Sequence, residues 1–319
     1  MKPFTKICLI VCGVLVLFGF TGIGISLAMG LEPDQLLDLA HYPGKFEEHG
    51  IPKLPEAAEP AELPEIEAPA EIFGHPASDL DECYAFEDVS GIDMDLAICD
   101  LTLKSHQKDT VILQVQNSQN SFHFSQDNDR LTLKDDRSTK GLDFQKEALF
   151  LTVYLPAQTL EQLDIKVGVG DIHAEDLNIQ DLYMESGVGD LDLETLTCET
   201  ANLISGVGNL TVDRLITSSE ASLESGTGDI TIDYYDGPDL DLDCGIGDAF
   251  VTACGQETDY SYDLNCDLGD LIFRHSQETH HDKQHNGLGH HLSSEHGADK
   301  SLSLHCGAGD ITLNFTEED

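Results

Sequence analysis

The chain has no Trp, few other aromatic residues and few basic residues. Its 319 residues include 13 Phe, 8 Tyr and 28 Gly, and 16 Lys and Arg stand against 60 Asp and Glu, for a formal net charge of −44. A nucleic-acid-binding protein needs a basic face to neutralise phosphates, so this charge excludes nucleic acid as a partner. The shortage of aromatics and the abundance of Gly predict an aliphatic core in a chain that turns often, which favours β architecture over helix bundles.

Charged residues are also missing from one N-terminal stretch. Residues 7–29 carry no charge, follow Lys2 and Lys6, and precede all 60 acidic residues. A run of this length can cross a bilayer as one helix and is longer than a signal-peptide h-region of ~7–15 residues. We therefore expect residues 1–30 to be a single-pass signal anchor in the cell membrane, with the C-terminal domain extracellular. A cleaved signal peptide is the alternative, and both export the chain.

Proline and glutamate dominate the next segment, residues 31–82. Prolines recur every few residues between positions 52 and 69 and alternate with glutamates. Closely spaced prolines prevent both a long helix and a strand ladder, while like-charged glutamates extend the chain. The sequence predicts a disordered acidic stalk here. It is either a spacer that holds a domain clear of the membrane or a linker without a selected length.

The most informative feature is an internal repeat of the tetrapeptide Gly-x-Gly-Asp. Copies or close variants begin at Gly168, Gly187, Gly206, Gly226, Gly245, Asp267 and Gly307. Alternating apolar residues flank each copy, and most intervals are 19 or 20 residues, which fits one coil of a stacked solenoid. The sequence predicts an all-β, single-stack β-solenoid of ~19–20-residue coils over residues 83–319, as one continuous stack.

The apolar alternation changes phase inside each repeat. In the second copy the predicted buried face runs through even positions up to Ser186 and Val188 and then through odd positions from Leu191. One residue of register must be absorbed at Gly189-Asp190, which predicts a corner or bulge. The same parity places a column of small residues inside, where we expect mostly reduced cysteines, with disulfides between coils as the alternative. This column contains Ser186, Ser205, Ser225, Cys244, Cys266 and Cys306.

These repeats resemble a known family. The apolar run 149–155, Pro156, and the repeated [Ser/Cys]-Gly-x-Gly-Asp units behind one N-terminal apolar helix are similar to the bacterial putative-adhesin family with DUF4097-type β-strand repeats. The resemblance covers roughly residues 83–319. It implies an exported, single-stranded β-solenoid on the bacterial envelope. We expect this solenoid to act as an adhesin-like or structural interaction module of the envelope, with a protein or glycan ligand at the surface. An envelope-stress or signalling accessory protein with a membrane partner, or a metal-binding surface protein, are the alternatives.

An insertion at residues 275–300 lengthens the last interval to 40 residues and is rich in histidine. Imidazole is a common ligand for Zn²⁺, Ni²⁺ or Cu²⁺, and it also changes charge near pH ~6. The insertion has no CxxC companion, so weak metal binding, a pH response and an ordinary exposed loop all remain open. Its histidines are His275, His280, His281, His285, His290, His291 and His296.

The Asp of each repeat would form a column along the stack. Aligned carboxylates repel one another, which invites Ca²⁺ between the coils, whereas the simpler interpretation is that each Asp caps its own turn. We expect no cofactor and no resident metal. The column contains Asp171, Asp190, Asn209, Asp229, Asp248, Asp270 and Asp310.

Enzyme motifs are missing from the repeats. Arg214 is the only Lys or Arg between positions 167 and 272, and the sequence has no Gly-x-Ser-x-Gly elbow, P-loop or HExxH. We therefore expect no enzymatic activity. For ligand binding, the candidates are tyrosines near one end of the solenoid, with the alternative that they fill coil corners. These are Tyr234, Tyr235, Tyr260 and Tyr262.

Overall fold

The computed structural model describes residues 82–118, 121–135, 148–156, 158–275, 278–280, 289–294 and 297–316. These residues form 21 β-strands and a 3₁₀ helix at Glu257–Asp259, which confirms the all-β prediction. The predicted anchor at residues 7–29 and the stalk up to residue 81 lie outside the described residues. In the ranges above, no helix is both long enough and apolar enough to cross a bilayer.

The strands follow one another along the chain with short connections. The N-terminal strands are β1 (Glu82–Glu87), β2 (Gly91–Ser105), β3 (Thr110–Gln116), β4 (Phe122–Asp127), β5 (Arg130–Asp135), β6 (Leu149–Leu155) and β7 (Leu160–Val169). The central strands are β8 (Ile172–Ala174), β9 (Leu177–Val188), β10 (Leu191–Val207), β11 (Leu210–Thr217), β12 (Glu220–Thr227), β13 (Ile230–Asp236), β14 (Asp239–Ile246) and β15 (Ala249–Cys254). The C-terminal strands are β16 (Tyr260–Cys266), β17 (Leu271–His275), β18 (Glu278–His280), β19 (His290–Ser294), β20 (Lys300–Ala308) and β21 (Ile311–Thr316).

Each regular coil places one strand in each of two parallel ladders. Before the Gly-Asp corner, β7, β9, the second half of β10, β12 and β14 pair in that order. After the corner, β8, the first half of β10, β11, β13 and β15 do the same. The inward side chains of both ladders form one aliphatic core cluster. Ser186, Ser205 and Ser225 are each only 1 % exposed, which confirms the predicted inward column.

The spatial order of the coils differs from their order in the sequence. β20 pairs with β14 on one side and β16 on the other, and β21 lies between β15 and β17. The coil of residues 300–316 is therefore inserted between two coils that precede it in the chain. At the other end, β2 lies between β5 and β6 on one side and β7 and β8 on the other. The stack is continuous, as predicted, but it is not sequential.

Antiparallel strands close both ends of the stack. β18 pairs with β17 and β19 pairs with β16, so part of the His-rich insertion is β-structure. At the opposite end β4 pairs with β5, and β3 pairs with β6 and β1. Here Phe124 lies 4.5 Å from Tyr84 and 5.6 Å from Phe86 between ring centroids. These half-buried rings pack against the aliphatic core and shield its end from water.

Candidate functional site

The Gly-x-Gly-Asp corner is the most regular surface feature of the solenoid. Its second glycine has positive φ, +143° at Gly189, and an added Cβ there would lie 2.1 Å from the carbonyl oxygen of Gly170 in the neighbouring coil. A Cβ on the first glycine, Gly187, would lie 2.6 Å from the carbonyl oxygen of Gly168. Real Cβ atoms do not approach oxygen so closely. Both glycines are therefore required for the coils to stack.

The repeated acids form a hydrogen-bonded row, which we call the Asp ladder. Oδ1 of Asp171 accepts a hydrogen bond from the N–H of Asp190 at 2.9 Å, and Oδ1 of Asp190 accepts one from the N–H of Asn209 at 2.7 Å. The prediction that each Asp caps its own turn was wrong, because each one caps the corner of the next coil. In spatial order the ladder contains Asp100, Asp171, Asp190, Asn209, Asp229, Asp248, Asp310 and Asp270.

The ladder contains no ready metal site. Among the residues that the structure describes, no group of three or more His, Cys, Asp or Glu side chains could hold a metal ion. Each ladder carboxylate before the terminal Asp270 accepts a hydrogen bond from a backbone N–H, which partly offsets the repulsion along the row.

Main-chain hydrogen bonds hold the corner in one geometry. The N–H of Gly189 donates to the carbonyl of Val207 at 2.9 Å, and the N–H of Leu191 donates to the carbonyl of Asn209 at 2.8 Å. Equivalent bonds recur in the other coils, such as Gly228 to Ile246 at 2.9 Å. The residue between the two glycines is therefore presented from a rigid backbone.

That middle residue forms an exposed apolar row, which we call the corner ridge. The exposed fractions are 49 % for Val188, 50 % for Val207, 59 % for Ile246 and 51 % for Leu268. Val188 was predicted to point inward, and that prediction was wrong because the chain leaves the strand at this residue. The ridge contains Val169, Val188, Val207, Thr227, Ile246 and Ala308, which are register partners, and Leu268 of the terminal coil.

One acidic row and one mixed row flank the ridge. Two residues after the ridge positions lies the Asp ladder, and three residues before them lies a register row that contains Lys166, Glu185, Ile204, Glu224, Asp243 and His305. The glycines on either side of a ridge residue have no side chain to cover it. Arg214, the basic residue of the central coils, instead lies 3.9 Å above the ring of Tyr234. The ridge is thus apolar within a strongly negative surface.

The tyrosines predicted as a binding patch are mostly core residues, so that prediction was wrong. Tyr235 and Tyr260 have no exposed surface, and Tyr262 is 8 % exposed. Tyr260 donates a hydrogen bond to the carbonyl of Cys254 at 2.7 Å. Tyrosines fill this end of the core because the coils there have room for large rings, which Phe273 and Phe315 share.

The described part of the insertion is held to the solenoid by strand pairing and by one histidine–aspartate contact. Nε2 of His291 lies 2.7 Å from Oδ1 of Asp263. His275, His280 and His290 lie in β17, β18 and β19. His281, His285 and His296 are outside the described residues, so metal binding by the insertion stays a prediction.

The thiols of the inward column are held in an unreactive state. Burial raises the pKa of Cys244 and Cys266 to about 11 and that of Cys306 to about 12, so these thiols stay protonated at neutral pH. They serve as small core residues, as their parity predicted.

The lining of a cleft of ≈ 340 Å³ includes Ser105, His106 and Asp176. Nε2 of His106 donates to the carbonyl of Thr110 at 2.6 Å. Its Nδ1 has no hydrogen-bond partner within the part of the chain that the structure describes. Neither ring nitrogen therefore contacts the Ser105 hydroxyl or the Asp176 carboxylate, as a nucleophile–base pair would require.

Comparison with known proteins gives one family and several remote structures. The family described as Toastrack DUF4097 matches residues 89–314, and no curated protein matches the chain. A putative adhesin from Bacteroides fragilis is similar at 18 % identity over 73 % of this chain and 96 % of its own, with a TM-score of 0.39. A putative cell adhesion protein from Clostridium sporogenes is 10 % identical over 74 % and 100 %, with a TM-score of 0.37. A putative lipid binding protein from Parabacteroides distasonis is 11 % identical over 73 % and 96 %, with a TM-score of 0.30.

Proposed function

The chain belongs to the Toastrack DUF4097 family, and from that premise we propose that it is a non-enzymatic, adhesin-like interaction module of a bacterial envelope. In this proposal residues 7–29 anchor the chain in the cell membrane, the Pro/Glu-rich stalk spaces the solenoid from it, and the solenoid binds partners outside the cell. The protonated thiols and the separated Ser105, His106 and Asp176 support the absence of catalysis.

One observation carries the binding role, namely the exposed corner ridge. The fold requires Gly and Asp at the corner, but it does not require an aliphatic residue between the glycines, since Thr227 and Ala308 occupy the same row. Val188, Val207 and Ile246 are nevertheless about half exposed. A row of mostly apolar, half-exposed side chains on a rigid backbone is typical of an interaction surface.

The test compares the full chain with a soluble form of residues 31–319. Both are immobilised and incubated with detergent extracts of envelope proteins, beside the variant Val188→Thr/Val207→Thr/Ile246→Thr. We expect both forms to retain the same partners and the triple variant to lose them. Phe150→Thr is the matched control, because Phe150 is 45 % exposed but lies in β6, which is on the side of β2 opposite to the first ridge strand, β7.

Two outcomes would contradict the proposal. Partners that only the anchored chain retains would support a signalling role through the membrane segment. Partners that the triple variant retains in full would exclude the ridge as the binding surface. Labelling of intact cells with a membrane-impermeant amine reagent tests localisation separately, and a solenoid that is labelled only after lysis would contradict its placement outside the cell.

A further inference from the structure

We propose that the corner ridge binds a cationic amphipathic helix, a segment with one apolar stripe bordered by Lys or Arg. This inference rests on the proposed function, because it names the class of partner for the same surface. Three properties of the ridge lead to it: its length and spacing, the charge beside it, and its rigidity.

The spacing of the ridge matches a helix better than a strand. Val188, Val207 and Ile246 belong to strands of one parallel ladder, and neighbouring strands lie ~4.8 Å apart, so six registered positions span about 24 Å. A helix presents one face again at every turn of ~5.4 Å, and about 16 residues span the same length. An extended strand presents one face every ~6.8 Å, so its side chains no longer align with the ridge residues after two or three coils.

The charge beside the ridge favours a basic partner, and most of it comes from the Asp ladder that follows the ridge positions. On the other side Glu185, Glu224 and Asp243 precede three of the ridge positions. A carboxylate that uses one oxygen in the ladder still has a second oxygen for a Lys or Arg. The same charges repel anionic lipid and nucleic acid, so a basic peptide is favoured over both.

The ridge is also organised before it binds. Main-chain bonds between coils, such as that from Gly189 to Val207 at 2.9 Å, fix the backbone on which each apolar side chain stands. The short Val and Ile side chains have few rotamers to lose. Binding therefore costs little ordering of the solenoid, and most of the ordering falls on the peptide as it becomes helical.

The test uses the full chain in nanodiscs of zwitterionic lipid, with empty nanodiscs as the reference, and two peptides of about 18 residues with identical Leu and Lys composition. One peptide has Leu at i, i+3 and i+4, which gives a single stripe, and the other distributes Leu around the helix. By titration calorimetry we expect the striped peptide to bind at least about 10-fold more tightly. Circular dichroism should show that it gains helicity on binding.

The variant Val188→Thr/Val207→Thr/Ile246→Thr should remove this preference, and Phe150→Thr should keep it. Thr already occupies the row at position 227, so the variant should fold, and its thermal midpoint checks this. Equal affinities for the two peptides, a preference that survives the triple variant, or binding without gain of helix would overturn the inference. If neither peptide binds but the triple variant still loses its envelope partners, the class of partner is wrong and the proposed function stands.

Discussion

At the residue scale, contacts between coils explain the residues of the repeat motif better than the conformation of a single turn does. A turn could tolerate a side chain at Gly187, whose φ is not positive, but the stack cannot, because the carbonyl of Gly168 lies where the Cβ would be. The terminal coil has Asp267 at this position. There β16 pairs with β20 only as far as Cys266, whereas β14 pairs with β20 as far as Ile246, and pairing of the terminal coil resumes at Leu271. The motif is therefore relaxed in the coil whose pairing is interrupted at the corner.

The corner glycines give the first prediction. Gly189→Ala should lower the free energy of unfolding by about 3 kcal/mol or more, because the Cβ meets a backbone oxygen and the positive φ becomes strained. Gly297→Ala is the control, since Gly297 has φ +66° with no atom within 4 Å of an added Cβ, and it should cost about 1 kcal/mol. Urea denaturation measures both, and equal losses would contradict the stacking explanation.

The buried thiols give the second prediction, which concerns alkaline pH. Burial raises the pKa of Cys244 and Cys266 from 9.0 to about 11. Between these values the unfolded chain binds fewer protons than the folded one. The stability from the thiols is therefore complete below pH ~9 and is lost as pH rises through ~11.

The matched variant is Cys244→Ser/Cys266→Ser/Cys306→Ser, because serine occupies the same column in other coils, as at Ser205. From pH ~8 to ~10.5, its free energy of unfolding should fall less than that of the natural chain. Both proteins share the buried tyrosines, whose contribution cancels in the comparison. Parallel pH profiles in urea denaturation would show that the thiols do not contribute.

At the element scale, the coil of residues 300–316 holds the C-terminal third together. β20 and β21 supply the inner neighbours of β14, β15, β16 and β17. Their inward residues, such as Leu304 and Leu313, have almost no exposed surface. Without this coil, two pairs of parallel edges and a strip of core would face solvent.

Truncation tests this role. A chain that ends at His296 should aggregate or lose many degrees of thermal midpoint, and a peptide of residues 297–316 added in trans should restore a cooperative melt. The control peptide carries Leu304→Asp, which places a charge in the core and should not restore it. Recovery with both peptides, or a truncated chain as stable as the full one, would contradict the inserted-coil arrangement.

How far the sequence could predict these elements depends on what each pattern encodes. Alternation and the phase change at Gly189-Asp190 predicted the coil, because inward and outward positions differ in polarity. The order of the coils could not be predicted, because the flanks of Cys244, Cys266 and Cys306 are nearly the same and do not specify which coil is the neighbour. Val188 was misplaced for a related reason: parity describes a strand up to its last residue but not the departure of the chain at the corner.

At the scale of the whole molecule, part of the net charge of −44 is concentrated in one row. Backbone N–H groups hold the carboxylates of the Asp ladder side by side, and their repulsion opposes the stability that the hydrogen bonds and the core provide. Screening should therefore stabilise the solenoid, and a bound cation would do so more strongly than screening alone.

A salt series separates these effects. The thermal midpoint should rise with NaCl, and CaCl₂ at the same ionic strength should raise it by the same amount, since the described residues form no ready metal group. A larger, chelator-reversible rise with CaCl₂ would contradict this expectation. The control is Asp190→Asn/Asp229→Asn, which removes two ladder charges. Its hydrogen bonds should be kept, because the amide oxygen of Asn209 already accepts the N–H of Asp229 at 3.1 Å.

The inserted coil also affects how the protein is made. A chain that leaves the ribosome or a translocon from its N-terminus delivers residues 260–275 before residues 300–316, although the later residues lie between the earlier ones and the rest of the stack. The coil of residues 260–275 must stay unpaired until the later residues emerge, or it must pair temporarily with β14 and β15 and then dissociate from them. This region therefore cannot finish folding while the chain is still being synthesised or exported. A folded C-terminal region shows that residues through 316 have already emerged.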